Sequence, residues 1–380
     1  YVRDSILYGN LYVKGGGDPD FSSAAIAAIV AEQKSKAGIK RVEGELVGDD
    51  TYFDAQRWGT GWMWDDEPWG YAAFNSALSI NRNCVDVYVR PSDTVGALPF
   101  VTIEPDTRYV SVENTAVTAG MNTKNTLDIS RKFFERSNTI TICGALPLGT
   151  SASHETITVL HPEQYFLTLM REEIERAGIP VSGRNRVAPV PSSAFLGAEY
   201  HQPIDSTIVY MNKESDNLSA ENLLKTISAE VQGGNGSTGH GITLVKQTLA
   251  GFGIDSTSYI MVDGSGLSYY DLLSSGIFVK LLQGVATQKN IFDLFYASLP
   301  VAGTDGTLAS RMRGTAAQGN LHAKTGTISG VSTLAGYVTT ADGEMLAFSM
   351  MMQNFIGSAA PFRHAQDAIG AFMASYKRPK

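Results

Sequence analysis

Cysteine is nearly missing from this chain: Cys84 and Cys143 are the only two in 380 residues. Two cysteines cannot build a disulfide scaffold, and their spacing is not that of metal ligands. They could pair in an oxidising compartment or stay as buried thiols, and buried thiols are the favoured expectation. Basic residues are also in short supply, with 30 Lys and Arg against 38 Asp and Glu and a net charge of −8. An acidic chain is a poor general binder of nucleic acid, whose phosphates ask for a basic surface. No apolar run is long enough to span a bilayer. The six histidines form no His-Glu-x-x-His, which leaves a zinc hydrolase unsupported. No Gly-x-Ser-x-Gly turn is present, which weighs against an α/β-hydrolase. The chain starts at Tyr1 with no initiator Met and no signal peptide, and reads as a mature or truncated product.

What is there is enough for two or three packed domains: 380 residues, of which 43% are hydrophobic. Residues 8–13 read as a strand, broken by Lys14-Gly15-Gly16-Gly17-Asp18-Pro19. Residues 22–36 and 161–178 show helical periodicity, and residues 42–47 and 85–89 read as strands. An aromatic loop over residues 58–71 holds all four tryptophans. Residues 100–160 are rich in Thr and Val with frequent turn formers, so β structure is expected there. A proline-rich connector over residues 187–203 places a domain boundary near residue 200. Beyond it the pattern turns helical, with apolar faces over residues 220–231 and 242–251. The end reads as a strand at Lys324, a hairpin turning at Asp342-Gly343, and a helix carrying Phe362, Ile369, Phe372 and Tyr376.

Two triplets carry chemistry. Lys324-Thr325-Gly326, followed by Thr327, puts a cation and two hydroxyls on a strand. The hydroxyls can donate to a carboxylate, the glycine lets a ligand approach the backbone, and a nearby N–H can serve an oxyanion. Ser215-Asp216-Asn217 lies well upstream, in a break between helical patterns. Alone, the first is an ordinary strand and the second an ordinary helix N-cap. In this order they are two of the three elements of a serine acyl-transfer site. The third, Ser-x-x-Lys, is absent: no lysine of the chain has a serine three residues before it.

Other signals weigh less. Gly234-Asn235-Gly236-Ser237-Thr238-Gly239 matches a dinucleotide-binding pattern, but it follows a helix where that pattern needs a strand. It reads as a surface loop. Met350 to Met352 read as core strand. The loop with Trp62, Trp64, Asp65, Asp66, Glu67, Trp69 and Tyr71 is open to two readings. One is a plug at a domain interface. The other is a pocket for a cationic, partly aliphatic side chain.

With these residues the chain resembles the low-molecular-mass class C penicillin-binding proteins, the D-Ala-D-Ala carboxypeptidases of the peptidase S13 type. The resemblance runs through Leu11-Tyr12-Val13-Lys14-Gly15-Gly16-Gly17-Asp18-Pro19, Gly48-Asp49-Asp50-Thr51-Tyr52-Phe53-Asp54 and Asp66-Glu67-Pro68. It continues through Asp263-Gly264-Ser265-Gly266-Leu267-Ser268, Leu299-Pro300-Val301-Ala302-Gly303, Arg311-Met312-Arg313-Gly314-Thr315 and both triplets. It implies an α+β fold: a β-lactamase/transpeptidase-like catalytic domain interrupted by two nested, β-rich accessory domains. Residues 201–380 would then be catalytic and residues 1–200 the insertion. An outer subdomain would cover about 1–20 and 90–200, and an inner one about 21–89. In that family the Ser-x-x-Lys lies shortly before the segment where this chain begins, so truncation or cleavage, and not a degenerate enzyme, is the expected reason for its absence.

The resemblance also assigns roles. Ser215 would shuttle a proton and Asn217 would contact the substrate amide. Lys324, Thr325, Gly326 and Thr327 would form the carboxylate and oxyanion side. Asp66 would meet the free ammonium of a peptidoglycan stem peptide, in a pocket lined by Tyr71, Leu267 and Ile328. Tyr269 stands where some members have an arginine. The implied enzyme is a serine DD-peptidase of the bacterial envelope, a carboxypeptidase with endopeptidase action as a companion. It would use no metal or organic cofactor, take peptidoglycan stem peptides as substrate and β-lactams as covalent inhibitors, and bind no nucleic acid. Peripheral association with membrane or wall is compatible with it. The rivals are a β-lactamase or esterase on the same scaffold and a non-catalytic envelope scaffold.

Overall fold

The computed structural model describes residues 1–379, which divide into two compact units. The first holds residues 1–58, 62–201 and 225–237, and the second holds 59–61, 202–224 and 238–380. One division falls inside the helix Asn217–Gln232, whose first two turns belong to the second unit.

The first unit is β-rich. Small sheets surround the helices Ser23–Ala37 and Pro162–Arg176. Ser22 caps the first helix by accepting from the Ala25 N–H, and Gly38 closes it in the left-handed region at φ 61°. The second helix begins with Pro162 and buries Tyr165, Phe166, Leu169 and Ile174 on one face. These side chains join Leu46, Leu78, Val85, Val87, Ile140 and Ile157 in the main core. Strand Cys84–Arg90 lies between Ser153–Thr158 and Phe100–Glu104, antiparallel to both, and its inward residues alternate.

Some expectations change here. The single strand predicted over residues 8–13 is two, Ile6–Tyr8 and Leu11–Lys14, belonging to different sheets. The one predicted over residues 42–47 is likewise two, Arg41–Glu43 and Leu46–Asp49. Both interruptions fall at glycine: the Gly9 N–H bonds to Glu43 O while Gly44 packs its α-carbon face against Gly9 O. Neither cysteine is in a disulfide: Cys84 is buried as expected, but Cys143 is exposed. Strand Thr139–Cys143 buries only Ile140 and Ile142, so the alternation turns Cys143 outward at its end.

The second unit is built on a three-stranded antiparallel sheet, His322–Ile328, Val331–Thr339 and Met345–Gln353, in that order. The terminal helix Ala360–Ser375 and the helix Ser275–Ala286 pack against it. Ala323, Leu334, Val338 and Phe348 from the sheet meet Leu308, Met312, Leu321 and Ala374 in one core. Strand His322–Ile328 is one of the two edge strands. Among the described residues its outer side is bridged only at the start, where the Ala323 N–H donates to Pro300 O. Among the described residues no helix is long and apolar enough to cross a membrane.

Candidate active site

Lys324 and Ser215 come together in the second unit, although 109 residues separate them in sequence. The local fold that brings Ser215 there is unusual. The helix Ile204–Tyr210 widens into a single π turn, Met211–Ser215, and Ser215 ends it in the left-handed region at φ 61°. A serine rarely adopts that conformation without cause, and such strain collects at functional positions. Asp216 is extended, and its carboxylate accepts the N–H and the hydroxyl of Ser219. Asp216 therefore caps the helix that starts at Asn217. The capping reading of the triplet is correct for Asp216.

The turn is pinned from behind. Lys213 Nζ donates to both Asp305 oxygens at 2.8 and 2.9 Å and to Leu299 O at 2.6 Å. Asp305 also accepts the Val301 N–H at 2.8 Å, and Asn212 donates to Ser298 Oγ at 2.7 Å. The loop 298–305 thus anchors the turn that carries Ser215 and, through Pro300, the start of the Lys324 strand. Sequence reasoning missed Lys213 and Asp305; the only available signal was a lysine two residues before the triplet.

Lys324 is largely buried. Its Nζ donates to Ser215 Oγ at 2.6 Å and to the carbonyl of Thr325 at 2.8 Å. Desolvation disfavours its charged form and brings its pKa down to about 8. The ammonium thus dominates at neutral pH but is poised to lose its proton. Thr325 Oγ1 donates to Thr307 Oγ1 at 2.8 Å. A Cβ at Gly326 would stand 2.5 Å from Thr333 Oγ1 on the neighbouring strand, so a side chain there would have to displace that hydroxyl. Thr327 is exposed and Ile328 is part-buried at the end of the strand. Because Ala323 N points to the outer side, the two-residue period sends Thr325 N and Thr327 N the same way. The open edge therefore presents a cation, two hydroxyls and a row of backbone donors.

The other predicted site residues lie as follows. In the first unit, Asp66 ends the short turn Trp64–Asp66, and Tyr71 Oη donates to its carboxylate at 2.7 Å. That turn is held by Arg131, whose side chain is 0% exposed. Arg131 donates to the Glu67 carboxylate at 3.1 Å, to Glu67 O, to Thr158 Oγ1 and to Ser137 O. The aromatic loop is thus partly a scaffold, with Trp62 buried, and partly open, with Trp64 60% exposed. In the second unit, Leu267 is buried within a loop that packs on the Asn217 helix.

An antiparallel sheet backed by helices, with a lysine of its edge strand bonded to a serine at a helix start, is the core of a penicillin-binding, transpeptidase-like fold. The chain belongs to the D-Ala-D-Ala carboxypeptidase 3 (S13) family, which it matches over residues 1–376. It is 36% identical to a D-alanyl-D-alanine carboxypeptidase of Actinomadura sp. (strain R39), covering 97% of this chain and 69% of that protein. It is 27% identical to the D-alanyl-D-alanine carboxypeptidase DacB of Haemophilus influenzae, over 93% of this chain and 74% of that one. Among solved structures, penicillin-binding protein 4 of Haemophilus influenzae superposes with a TM-score of 0.85 at 24% identity. That match covers 99% of this chain and 84% of the other.

Proposed function

We infer that this protein is a serine D-Ala-D-Ala carboxypeptidase that removes the terminal D-Ala of peptidoglycan stem peptides through an acyl-enzyme, and that β-lactams acylate it. The observation that carries the reading is the 2.6 Å bond from Lys324 Nζ to Ser215 Oγ. It joins the two triplets into one proton-handling unit on an open strand edge. The nucleophile comes from a Ser-x-x-Lys segment that the 380 residues do not contain. Its oxygen bonds to the carbonyl carbon of the penultimate D-Ala, and the outer backbone donors of the strand receive the developing oxyanion. The proton given up by the attacking hydroxyl is relayed to Ser215 as Ser215 passes its own to the departing nitrogen; the C–N bond breaks, and D-Ala leaves with its amine. Because Lys324 donates to Ser215 Oγ, the serine's own hydrogen is directed away from the lysine and toward that nitrogen. Lys324 and Thr325 attract the terminal carboxylate, and Asn217 holds the substrate amide. Water then cleaves the ester and restores the enzyme.

Asp66, with Tyr71, receives the free ammonium of the stem-peptide side chain. This assignment rests on the family resemblance and on the Tyr71–Asp66 bond. Such a substrate places the protein outside the cytoplasm, in the cell envelope, and an acidic chain on this substrate has no use for nucleic acid. The test is intact-mass measurement with labelled penicillin, together with D-Ala release from a peptide ending in D-Ala-D-Ala. Both use the protein carrying its Ser-x-x-Lys segment, with and without Lys324→Ala. A stable adduct and D-Ala release, each cut by about 100-fold or more in the variant, support the reading. Rapid turnover of the penicillin without D-Ala release would make it a β-lactamase, and no reaction would make it a scaffold.

A further inference from the structure

Three aromatic rings stand together on the surface of the first unit. Trp64 lies 5.7 Å from Phe133 and 5.2 Å from Phe134, centroid to centroid, and the two phenylalanine rings stack at 4.3 Å. Phe133 is part-buried and forms the base of the group. Trp64 is mostly exposed, Phe134 is 76% exposed, and Met63 next to Trp64 is exposed as well. Single apolar side chains on a surface are ordinary, but a contiguous group held out of the core is a mark of binding.

Both loops that carry the group are fixed. Arg131 ties them together, donating to Glu67 O and the Glu67 carboxylate on one side and to Ser137 O on the other. The Phe133 loop joins strand Asp128–Arg131 to its antiparallel neighbour Thr139–Cys143. Within it the Ser137 N–H donates to Lys132 O and the Arg136 N–H to Phe133 O. Lys132 fastens its start through a 2.8 Å ion pair with Glu113. The rings can therefore meet a ligand without reordering the chain, which keeps the entropic cost of binding low.

Size decides what fits. At ~200–250 Å² for a whole aromatic side chain, Trp64 and Phe134 offer about 300 Å² between them. A stable protein interface needs about 800 Å² from each partner. The group is too small for a folded partner and matches a flat ligand of one or two rings. Its neighbours in the chain are polar, and Asp65, Glu135 and Arg136 are all exposed. An apolar face with hydrogen-bonding groups around it suits a sugar, whose C–H face stacks on aromatic carbon while its hydroxyls reach outward.

Position narrows the choice further. Trp64 and Asp66 share one short turn, closed by the Asp66 N–H donating to Met63 O at 3.1 Å. Their α-carbons are therefore about 5–6 Å apart. In a peptidoglycan stem peptide the amine-bearing residue is the third, and the muramyl sugar is joined ahead of the first. Two extended residues span about 7 Å. An ammonium held at Asp66 leaves that sugar within reach of Trp64 and Phe134.

We propose that Trp64, Phe133 and Phe134 form a platform on which the glycan of peptidoglycan stacks, so that the protein prefers stem peptides still attached to their sugar over free peptides. The proposal rests on the function inferred above, in which Asp66 receives the stem-peptide ammonium. The rings bind and take no part in acyl transfer.

The test is calorimetric titration of the 380-residue chain with two ligands. One is the tripeptide L-Ala-γ-D-Glu-L-Lys, and the other is the same tripeptide carried on N-acetylglucosaminyl-N-acetylmuramic acid. The parent should bind the sugar-linked ligand about tenfold more tightly. Phe134→Ala should lose most of that advantage, and Phe134→Tyr, which keeps the ring, should retain it. Equal affinities in the parent would overturn the platform, and so would a Phe134→Ala variant with the full advantage. Dimerisation of the parent that Phe134→Ala abolishes would overturn it in favour of a second copy of the chain. The comparison within the parent needs no variant, so a misfolded Phe134→Ala does not shelter the proposal. Neither ligand needs the nucleophile. Failed penicillin acylation with an intact sugar preference would sink the function reading alone, and full acylation with equal affinities would sink the platform alone.

Discussion

Lys324 is held in the folded protein at a cost that depends on pH, and that cost can be measured. Burial lowers its pKa from 10.5 to about 8. Between these values the unfolded chain binds a proton that the folded chain does not. Stability must then rise with pH across this window, the opposite of the behaviour of a lysine that gains a partner. The full linkage is about 3 kcal/mol at 1.36 kcal/mol for each pH unit. Solvent screening at this part-buried group discounts it to about 1–2 kcal/mol as the expected change. Lys324→Met keeps the length of the stem and removes the charge. The variant also removes two hydrogen bonds, but that loss does not vary with pH. Urea unfolding of the chain and of Lys324→Met from pH 7 to pH 10.5 isolates the lysine, since other titrations cancel in the difference. The parent should gain about 1–2 kcal/mol on the variant as pH rises through this range. A difference that stays flat until pH 10 would show that Lys324 titrates like an exposed lysine, and the argument for its poised proton would fall.

Asp66→Asn should lower kcat/KM about tenfold for stem peptides with a free side-chain amine, equivalent to about 1.4 kcal/mol. It should leave amine-acetylated substrates nearly unchanged, and an equal loss on both would mean that Asp66 only braces the loop. Arg131→Met should destabilise the first unit by about 3–5 kcal/mol in urea, because the part-buried Glu67 carboxylate loses its cation. A change below about 1 kcal/mol would remove Arg131 as the anchor of the aromatic loop. Lys213→Met takes the ammonium from Asp305 and Leu299 O, and should cost about 1–3 kcal/mol with a loss of penicillin acylation. Unchanged acylation in a folded variant would separate the Ser215 turn from its brace.

Much of this fold is legible in the sequence because periodicity and punctuation agree. The Ser22 cap, the Pro162 start and the Asp342-Gly343 hairpin each pair a turn or cap residue with an apolar pattern, and each marks its element within a residue or two. The interruptions at Gly9 and Gly44 were not legible. Each glycine serves a close approach between distant backbones, and local pattern contains no such information. Of the site, the chemistry of Lys324 and Ser215 is readable from their triplets, but the 2.6 Å bond between them depends on the π turn and on Lys213. Glu221 was invisible for a different reason. Glutamate belongs on surfaces by composition, and only the fold shows it spending its oxygen on the Gly264 and Ser265 amides.

The chain passes between its two units five times, the last two passages bounding residues 225–237. Neither unit is therefore a continuous stretch of polypeptide, and no single cut releases either one whole. The catalytic sheet forms from the last strands of the sequence, while the turn that carries Ser215 lies over a hundred residues earlier. Most of the loop closures that join them must be made before any contact rewards them. Folding of this molecule should accordingly be slow for its size and cooperative across both units, with the Lys324 edge among the last features to acquire protection. A nascent chain stalled before residue 322 would have its serine turn and the Lys213–Asp305 brace, but no Lys324 for Ser215 to meet.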